Sequence, residues 1–198
     1  MSSITAGFQS IRQTGLLLLL FLLPNPGRSQ EMPLPVPLQY QLFLKILSFD
    51  KNLTARSADT LHMAVVYQSL LRSSAKTARA FLAETASGEQ PQVKNLPLSI
   101  RCYDLKTLPE LRAFLVRGRI DLVYIAPLRA VAVSDMTALT RELNILSLSG
   151  VTEYQRSGVA VNLNVRGETP EILIHQKNAG EEGADFSSRL LHLVTIIN

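Results

Sequence analysis

The chain has 198 residues, of which 46% are hydrophobic and 18% charged, and this composition is typical of a globular protein and excludes a largely disordered one. Its formal net charge is +4, and beyond residues 1–29 there are 18 basic and 16 acidic side chains, a net charge of +2. This excess of positive charge is too small for a phosphate-binding surface, so we expect no nucleic-acid partner. Because Cys102 is the only cysteine, no intrachain disulfide can form and the core must stabilise the fold by itself.

Residues 1–29 have the features of a secretory signal peptide. Arg12 precedes an apolar block, residues 15–23, which ends at Pro24. A membrane-spanning helix needs about 20 apolar residues, so this block is too short, and the small residues after it suit cleavage before Gln30. We therefore expect an exported protein that does not span the membrane after cleavage. An uncleaved anchor is the alternative.

The exported chain is predicted to comprise a leader and one domain. The leader, residues 30–37, contains three prolines and is therefore expected to be extended. The domain, residues 38–198, opens with apolar residues at helical spacing up to Phe49. A first strand follows at residues 61–67, and then an alanine-rich helix at residues 74–85.

A second cycle of strands and helices follows the same plan. Residues 99–103 read as a strand, and Thr107 and Glu110 form a capping box that opens a helix ending near Gly118. The apolar run 120–126 reads as a strand buried on both faces. A helix at 130–143 and a strand at 145–148 complete the cycle. This alternation predicts an α/β fold with a mostly parallel sheet and helices on both faces, a Rossmann-like arrangement of three layers.

The pattern changes beyond Gly150. Residues 158–165 and 171–175 are predicted to form a β-hairpin at one edge of the sheet. The acidic pair Glu181 and Glu182 lies between glycines and is expected in a solvated loop. A C-terminal helix is then predicted from a cap at residues 185–188 and from an apolar stripe, which comprises Phe186, Leu190, Leu193, Val194 and Ile197.

The sequence contains none of the familiar catalytic motifs. It has no nucleophile elbow, no phosphate-binding glycine loop and no metalloprotease motif. The histidines, His62, His175 and His192, are far apart, and no spacing supplies them with carboxylate or thiolate companions. We therefore expect a protein that is not an enzyme, with no catalytic residues, no cofactor and no metal site.

The predicted sheet nevertheless has a place where ligands bind. In open parallel sheets this place lies outside the carboxyl ends of the strands. Arg129 could receive an acidic small molecule or an acidic partner loop there, because a guanidinium matches a carboxylate. The alternative is that Pro127 merely ends a strand and Arg129 solvates the next helix. The candidate rim residues are Gln68, Pro127, Arg129, Ser149 and Gly150.

Several short motifs in order resemble those of a bacterial family. They are the opening helix with residues 42–47, the strand end at 124–126, the segment from Gly158 to Leu163, and Gly183 ahead of residues 187–191. In order and spacing, the chain resembles the YfiR/HmsC-like family of periplasmic proteins from residue 38 to residue 197.

The resemblance implies a regulatory role. Characterised relatives are secreted α/β proteins that act on the periplasmic part of an inner-membrane diguanylate cyclase and restrain cyclic-di-GMP synthesis, and hence biofilm formation. This chain departs from many relatives at Ser157, where they have a second glycine, and at His175, where they often have asparagine. Cys102 alone cannot form the disulfides that some relatives have. The implied partner is an inner-membrane signalling protein. The alternative is a freestanding protein that binds a small anionic solute. A homodimer is also possible from the sequence.

Overall fold

The computed structural model describes residues 30, 32–86 and 90–197, and the predicted signal peptide lies outside them. In chain order the elements are α1 (Val36–Leu47), α2 (Leu53–Arg56), β1 (Leu61–Tyr67), α3 (Arg72–Ala86), β2 (Gln92–Val93), β3 (Leu96–Asp104), α4 (Leu108–Arg117), β4 (Leu122–Ile125), α5 (Val133–Leu143), β5 (Leu146–Ser149), a 3-10 helix (Thr152–Ser157), β6 (Val161–Arg166), β7 (Thr169–His175), α6 (Gln176–Glu181), α7 (Ser188–Leu191) and β8 (Thr195–Ile197).

The strands form one sheet of eight in the order β2-β3-β1-β4-β5-β6-β7-β8. Strands β3, β1, β4, β5 and β6 run parallel, whereas β2 and β7 are antiparallel to their neighbours β3 and β6. From β1 the chain moves outward to β3 and then crosses back to β4 on the other side. The direction of winding therefore reverses between β1 and β4, and their carboxyl ends form the switch point of the sheet.

Helices cover both faces of the sheet, as predicted. On one face, Phe43 of α1 and Phe81 of α3 pack on Tyr124 of β4, with ring centroids 5.8 and 4.1 Å from the tyrosine ring. These residues belong to the first core cluster. On the other face, Leu111 of α4 and Met136 of α5 belong to the second core cluster. All four residues of β4 are buried, which confirms a strand covered on both sides.

Local sequence signals locate several element ends. The Thr107 side chain accepts a hydrogen bond from the Glu110 amide, as a helix N-cap should, and α4 begins at the next residue. Asn144 ends α5 in the left-handed region with φ of 54°, a conformation that asparagine adopts more readily than most residues. These signals act within a few residues, so the sequence alone is sufficient to place them.

The predicted C-terminal helix is correct only at its start. Helix α7 spans four residues, and the chain then forms β8, which pairs in parallel with β7. The hairpin of β6 and β7 therefore lies inside the sheet, and the prediction that it closes an edge was wrong. The helical prediction from Leu193 to Ile197 was also wrong, because the β-branched residues 195–197 satisfy the open backbone edge of β7 instead.

The expectation of a solvated acidic loop was wrong for Glu182. Its carboxylate is fully buried and accepts hydrogen bonds from the Thr140 hydroxyl at 2.6 Å, the Ser147 amide at 2.7 Å and the Ser147 hydroxyl at 2.9 Å. Burial raises the pKa of Glu182 to about 7, although these hydrogen bonds and the charge of Arg141 partly offset the effect. Glu182 thus ties the end of α6 to β5 and α5. Its neighbour Glu181 is exposed and pairs with Arg141, as a solvated residue should.

Candidate functional site

A crevice of about 510 Å³ lies at the carboxyl ends of β1 and β3, beside the turn that follows β4. We call it the strand-end crevice and define it by the residues that line it, 68–71, 104–106 and 129–130. It adjoins the switch point of the sheet, where ligands of open α/β proteins bind. The structure therefore provides a cavity close to the place that the fold class predicts.

Asp104 fixes one wall of the crevice. Its carboxylate accepts hydrogen bonds from the Ser69 amide at 2.8 Å and the Ser69 hydroxyl at 2.7 Å, and it pairs with the Lys106 ammonium at 2.6 Å. Desolvation raises the pKa of Asp104, but the bonds from Lys106 and Ser69 outweigh it, so this pKa lies below its usual value. Asp104 stays ionised and neutralises the nearest cation.

Gln68 joins the two turns that flank the switch point. Its amide donates to the Ser74 hydroxyl oxygen at 2.9 Å, which holds the end of β1 against α3. Its side-chain Oε1 accepts from the backbone amides of Arg129 at 2.6 Å and Ala130 at 3.3 Å. This candidate residue therefore lines the crevice, but its acceptor oxygen is already used to hold the turn after β4.

Two side chains of the crevice are exposed and have no obvious structural task. Arg129 is exposed, and within the described residues its guanidinium makes no ion pair. Leu70 is 99% exposed in the turn after β1. A free guanidinium and an apolar side chain that is open to water thus lie on the same rim.

The other three candidates lie buried beneath the surface, outside the crevice lining. Pro127 is buried directly after β4. The Ser149 hydroxyl donates to the Ile125 carbonyl at 2.9 Å and accepts from the Val151 amide at 3.1 Å. Gly150 packs so closely on Gln39 that an added Cβ would lie 2.0 Å from its side-chain oxygen. These residues shape the strand ends rather than present groups to a ligand.

Leu70 is the functional candidate that sequence reasoning missed. Of the turn that leaves β1, only Gln68 was placed on the candidate rim from the sequence. The available signal was a pair of leucines, Leu70 and Leu71, in a short turn between a strand and a helix. A pattern of this kind does not tell which leucine is buried, and only the packing shows that Leu70 points into solvent.

Across residues 30, 32–86 and 90–197, no three His, Cys, Asp or Glu side chains are grouped so that they could hold a metal ion. In the same part of the chain, every helix is too short or too polar to span a bilayer.

Comparison with known proteins places the chain in one family. The model of the YfiR/HmsC-like family matches residues 38–195. No curated protein matches the chain.

Solved structures share the fold at low sequence identity. A conserved domain protein from Vibrio cholerae is 12% identical with a TM-score of 0.55, covering 83% of this chain and 60% of that one. An ABC domain in complex with L-Trp from Streptococcus pneumoniae is 12% identical with a TM-score of 0.56, covering 82% and 60%. A substrate binding protein with adhesive properties from Clostridium difficile, in a ligand-free, open structure, is 12% identical with a TM-score of 0.53, covering 86% and 65%. The chain spans less than two thirds of each of these proteins, and likeness at this identity shows the fold alone.

Proposed function

The chain belongs to the YfiR/HmsC-like family, and on this premise we propose that it is a periplasmic regulatory protein, not an enzyme, which docks through the strand-end crevice on the periplasmic domain of an inner-membrane signalling protein. Relatives that restrain a diguanylate cyclase support this partner class. The predicted signal peptide, with its short apolar block ahead of Pro24, supports the compartment.

The observation that carries the proposal is that the exposed Leu70 and the exposed Arg129 line the same crevice. Burying a fully exposed leucine stabilises a complex by about 2 kcal/mol, provided that the partner has an apolar pocket for it. Within the described residues no carboxylate pairs with this guanidinium, so it is available for a bidentate bond to an aspartate or glutamate of the partner. The partner surface that fits is therefore an apolar pocket with a carboxylate on its rim.

Restraint of the partner follows from a difference in affinity. Docking shifts the partner between an active and an inactive state only if the crevice binds one state more tightly. A hundredfold preference, or about 2.7 kcal/mol, shifts that equilibrium by a factor of about one hundred. Release of the protein would then restore the active state.

The test combines capture with a functional readout. The exported protein is cross-linked in intact cells, purified from detergent-solubilised inner membranes, and its partner is identified by mass spectrometry. We expect one membrane protein with a periplasmic domain and a signalling domain. In cells that carry Leu70→Asp or Arg129→Glu, we expect its capture to fall at least tenfold and cyclic-di-GMP to rise.

Arg119→Glu is the matched control, because it makes the same charge change at an exposed residue before β4, on the opposite edge of the sheet. It should leave capture and cyclic-di-GMP unchanged. If the crevice variants capture the partner as well as the native protein does, the crevice is not the docking surface.

The cavity favours a second candidate function, the binding of a small anionic solute. A volume of about 510 Å³ is in the usual range for small-molecule sites, and both Lys106 and Arg129 line it. Thermal melting with succinate, aspartate or glutamate tests this reading. A rise in melting temperature that Arg129→Glu abolishes supports solute binding, whereas the absence of any shift leaves protein docking as the function of the crevice.

A further inference from the structure

The segment ahead of α1 crosses the end of the sheet. Gln30 bonds to Leu128, which belongs to the second core cluster, and Leu34 belongs to the first. Met32 packs against both clusters. Since the sheet separates the clusters, a segment that contacts both must pass over the end of the strands. Leu128 follows β4, so this is the carboxyl end. We call residues 30 and 32–35 the arm.

Side chains of the domain hold the arm at specific groups. The Gln30 side-chain amide donates to the Leu128 carbonyl, and it also bonds to the Tyr154 hydroxyl. The Leu34 carbonyl accepts from the side-chain amide of the buried Gln39 at 2.7 Å. The Thr77 hydroxyl lies 3.6 Å from the Met32 sulfur. The arm therefore sits in a groove that has a carbonyl, hydroxyls and an amide at defined positions.

Tyr154 is a fixed part of this groove. Its hydroxyl oxygen accepts a hydrogen bond from the Leu128 amide at 2.7 Å. Burial raises the pKa of Tyr154 to about 12, so the hydroxyl keeps its proton at any physiological pH. Leu128 and Tyr154 thus present an acceptor and a hydroxyl side by side, and a primary amide matches this pair.

The fit of the arm is incomplete. The Oε1 atom of Gln30 is buried, and within the described residues it has no hydrogen-bond partner. A buried acceptor without a donor destabilises the docked arm relative to an arm that is released into water. The groove therefore holds its present occupant less tightly than it would hold a segment that satisfies the same groups completely.

From these contacts we propose that the groove is a binding site for an extended segment of a partner protein that carries a primary-amide side chain, and that the arm is its intrachain occupant. The arm covers the carboxyl end of β4 at the switch point, where open α/β sheets bind their ligands. The arm contains Pro33 and Pro35, so it is already extended and little entropy is lost when it docks. The described residues that bond to the arm and so line the groove are Leu128, Tyr154, Thr77 and Gln39. None of them lines the strand-end crevice.

A competing peptide tests the groove directly. The probe is a synthetic, fluorescently labelled peptide with the sequence of residues 30–36, and its binding to the purified protein is followed by fluorescence anisotropy. Because the arm is tethered, it competes at a high effective concentration, and the native protein should bind the peptide weakly. The arm variant Gln30→Ala/Met32→Ala should bind it at least tenfold more tightly.

Gln30→Glu provides a milder arm variant, since it replaces the donor amide with a carboxylate that faces the Leu128 carbonyl. It should also increase peptide binding. A peptide with the same Gln-to-Glu change should bind none of the proteins. Leu70→Ser, placed in the crevice, should leave peptide binding unchanged, so failure of the groove and failure of the crevice proposal are distinguishable.

Three results would overturn the proposal. The first is that a folded arm variant does not bind the peptide. The second is that the glutamine and glutamate peptides bind equally well. The third is that the arm variants form dimers but do not bind the peptide. Circular dichroism and thermal melting establish that the variants are folded. If the double variant does not fold, Gln30→Glu decides the question, because it changes only one atom of one partly exposed side chain.

Discussion

Glu182→Gln should remove a pH dependence of stability that this one carboxyl creates. The side chain is fully buried, and its pKa is about 7 in the folded protein, against an ordinary value of 4.5. Between these values the folded state binds a proton that the unfolded state has lost, so the free energy of unfolding falls as pH rises. Each pKa unit corresponds to about 1.4 kcal/mol, so ionisation of Glu182 costs about 3 kcal/mol in full, and most of this is lost between pH 5 and pH 8.

Glutamine imitates the protonated acid without ionising. Its oxygen can still accept from the Ser147 amide, and its amide group can donate to the Thr140 hydroxyl oxygen, which takes the place of the bond that Thr140 now donates. We therefore expect the variant to match the native protein in stability near pH 5 and to exceed it by about 3 kcal/mol at pH 8. Urea unfolding at pH 5, 6, 7 and 8 measures both free energies, and their difference cancels the contributions of other groups.

Glu181→Gln is the matched control, because the neighbouring carboxylate is exposed and its substitution should change the free energy of unfolding by less than about 0.5 kcal/mol. Parallel pH profiles for the native protein and Glu182→Gln would refute the reasoning. They would mean that the buried carboxyl does not exchange its proton in the range that its surroundings indicate.

Two further predictions concern the strand ends. Gly150→Ala should lower the free energy of unfolding by about 2 kcal/mol in urea, because the new methyl group would collide with Gln39, whereas Gly180→Ala meets no atom within 4 Å, lies in a helix and should not lower it. Gln68→Ala should cost about 1 kcal/mol in the same assay, since two partly buried backbone amides lose their acceptor, while Arg129→Glu should change stability by less than about 0.5 kcal/mol. If Gln68→Ala and Arg129→Glu lowered the free energy of unfolding equally, the Gln68 side chain would not be the group that holds the turn after β4.

The central part of the fold could be predicted because its signals are local or periodic. Strand β1 was predicted at residues 61–67 and has these bounds, since a run that is apolar apart from His62 is typical of a strand covered on both faces. The cap at Thr107 acts within one turn of helix. By contrast, β8 depends on the open edge of β7, some twenty residues earlier in the chain. The apolar stripe from Phe186 to Ile197 fits a helix equally well, so the sequence could not decide between them.

The candidate site was predictable in place but not in composition. The carboxyl ends of the strands follow from the fold class, and Gln68 and Arg129 do line a cavity there. Which strand ends remain open depends on the arm and on the packing of Gln39 against Gly150, two contacts between distant parts of the chain. The burial of Glu182 likewise depends on Thr140 and on a strand residue 35 positions away. Contacts of this range have no signature in a single sequence.

The direction of the last two strands decides how the protein can be handled. Since β8 is parallel to β7, and β7 is antiparallel to β6, Ile197 emerges at the edge where β1 begins. Gln30 lies at the other edge, over the crevice side of the molecule. A tag or surface linkage after Ile197 would therefore leave the strand-end crevice and the groove accessible to a partner. A tag fused ahead of Gln30 would lie close to both and could block them.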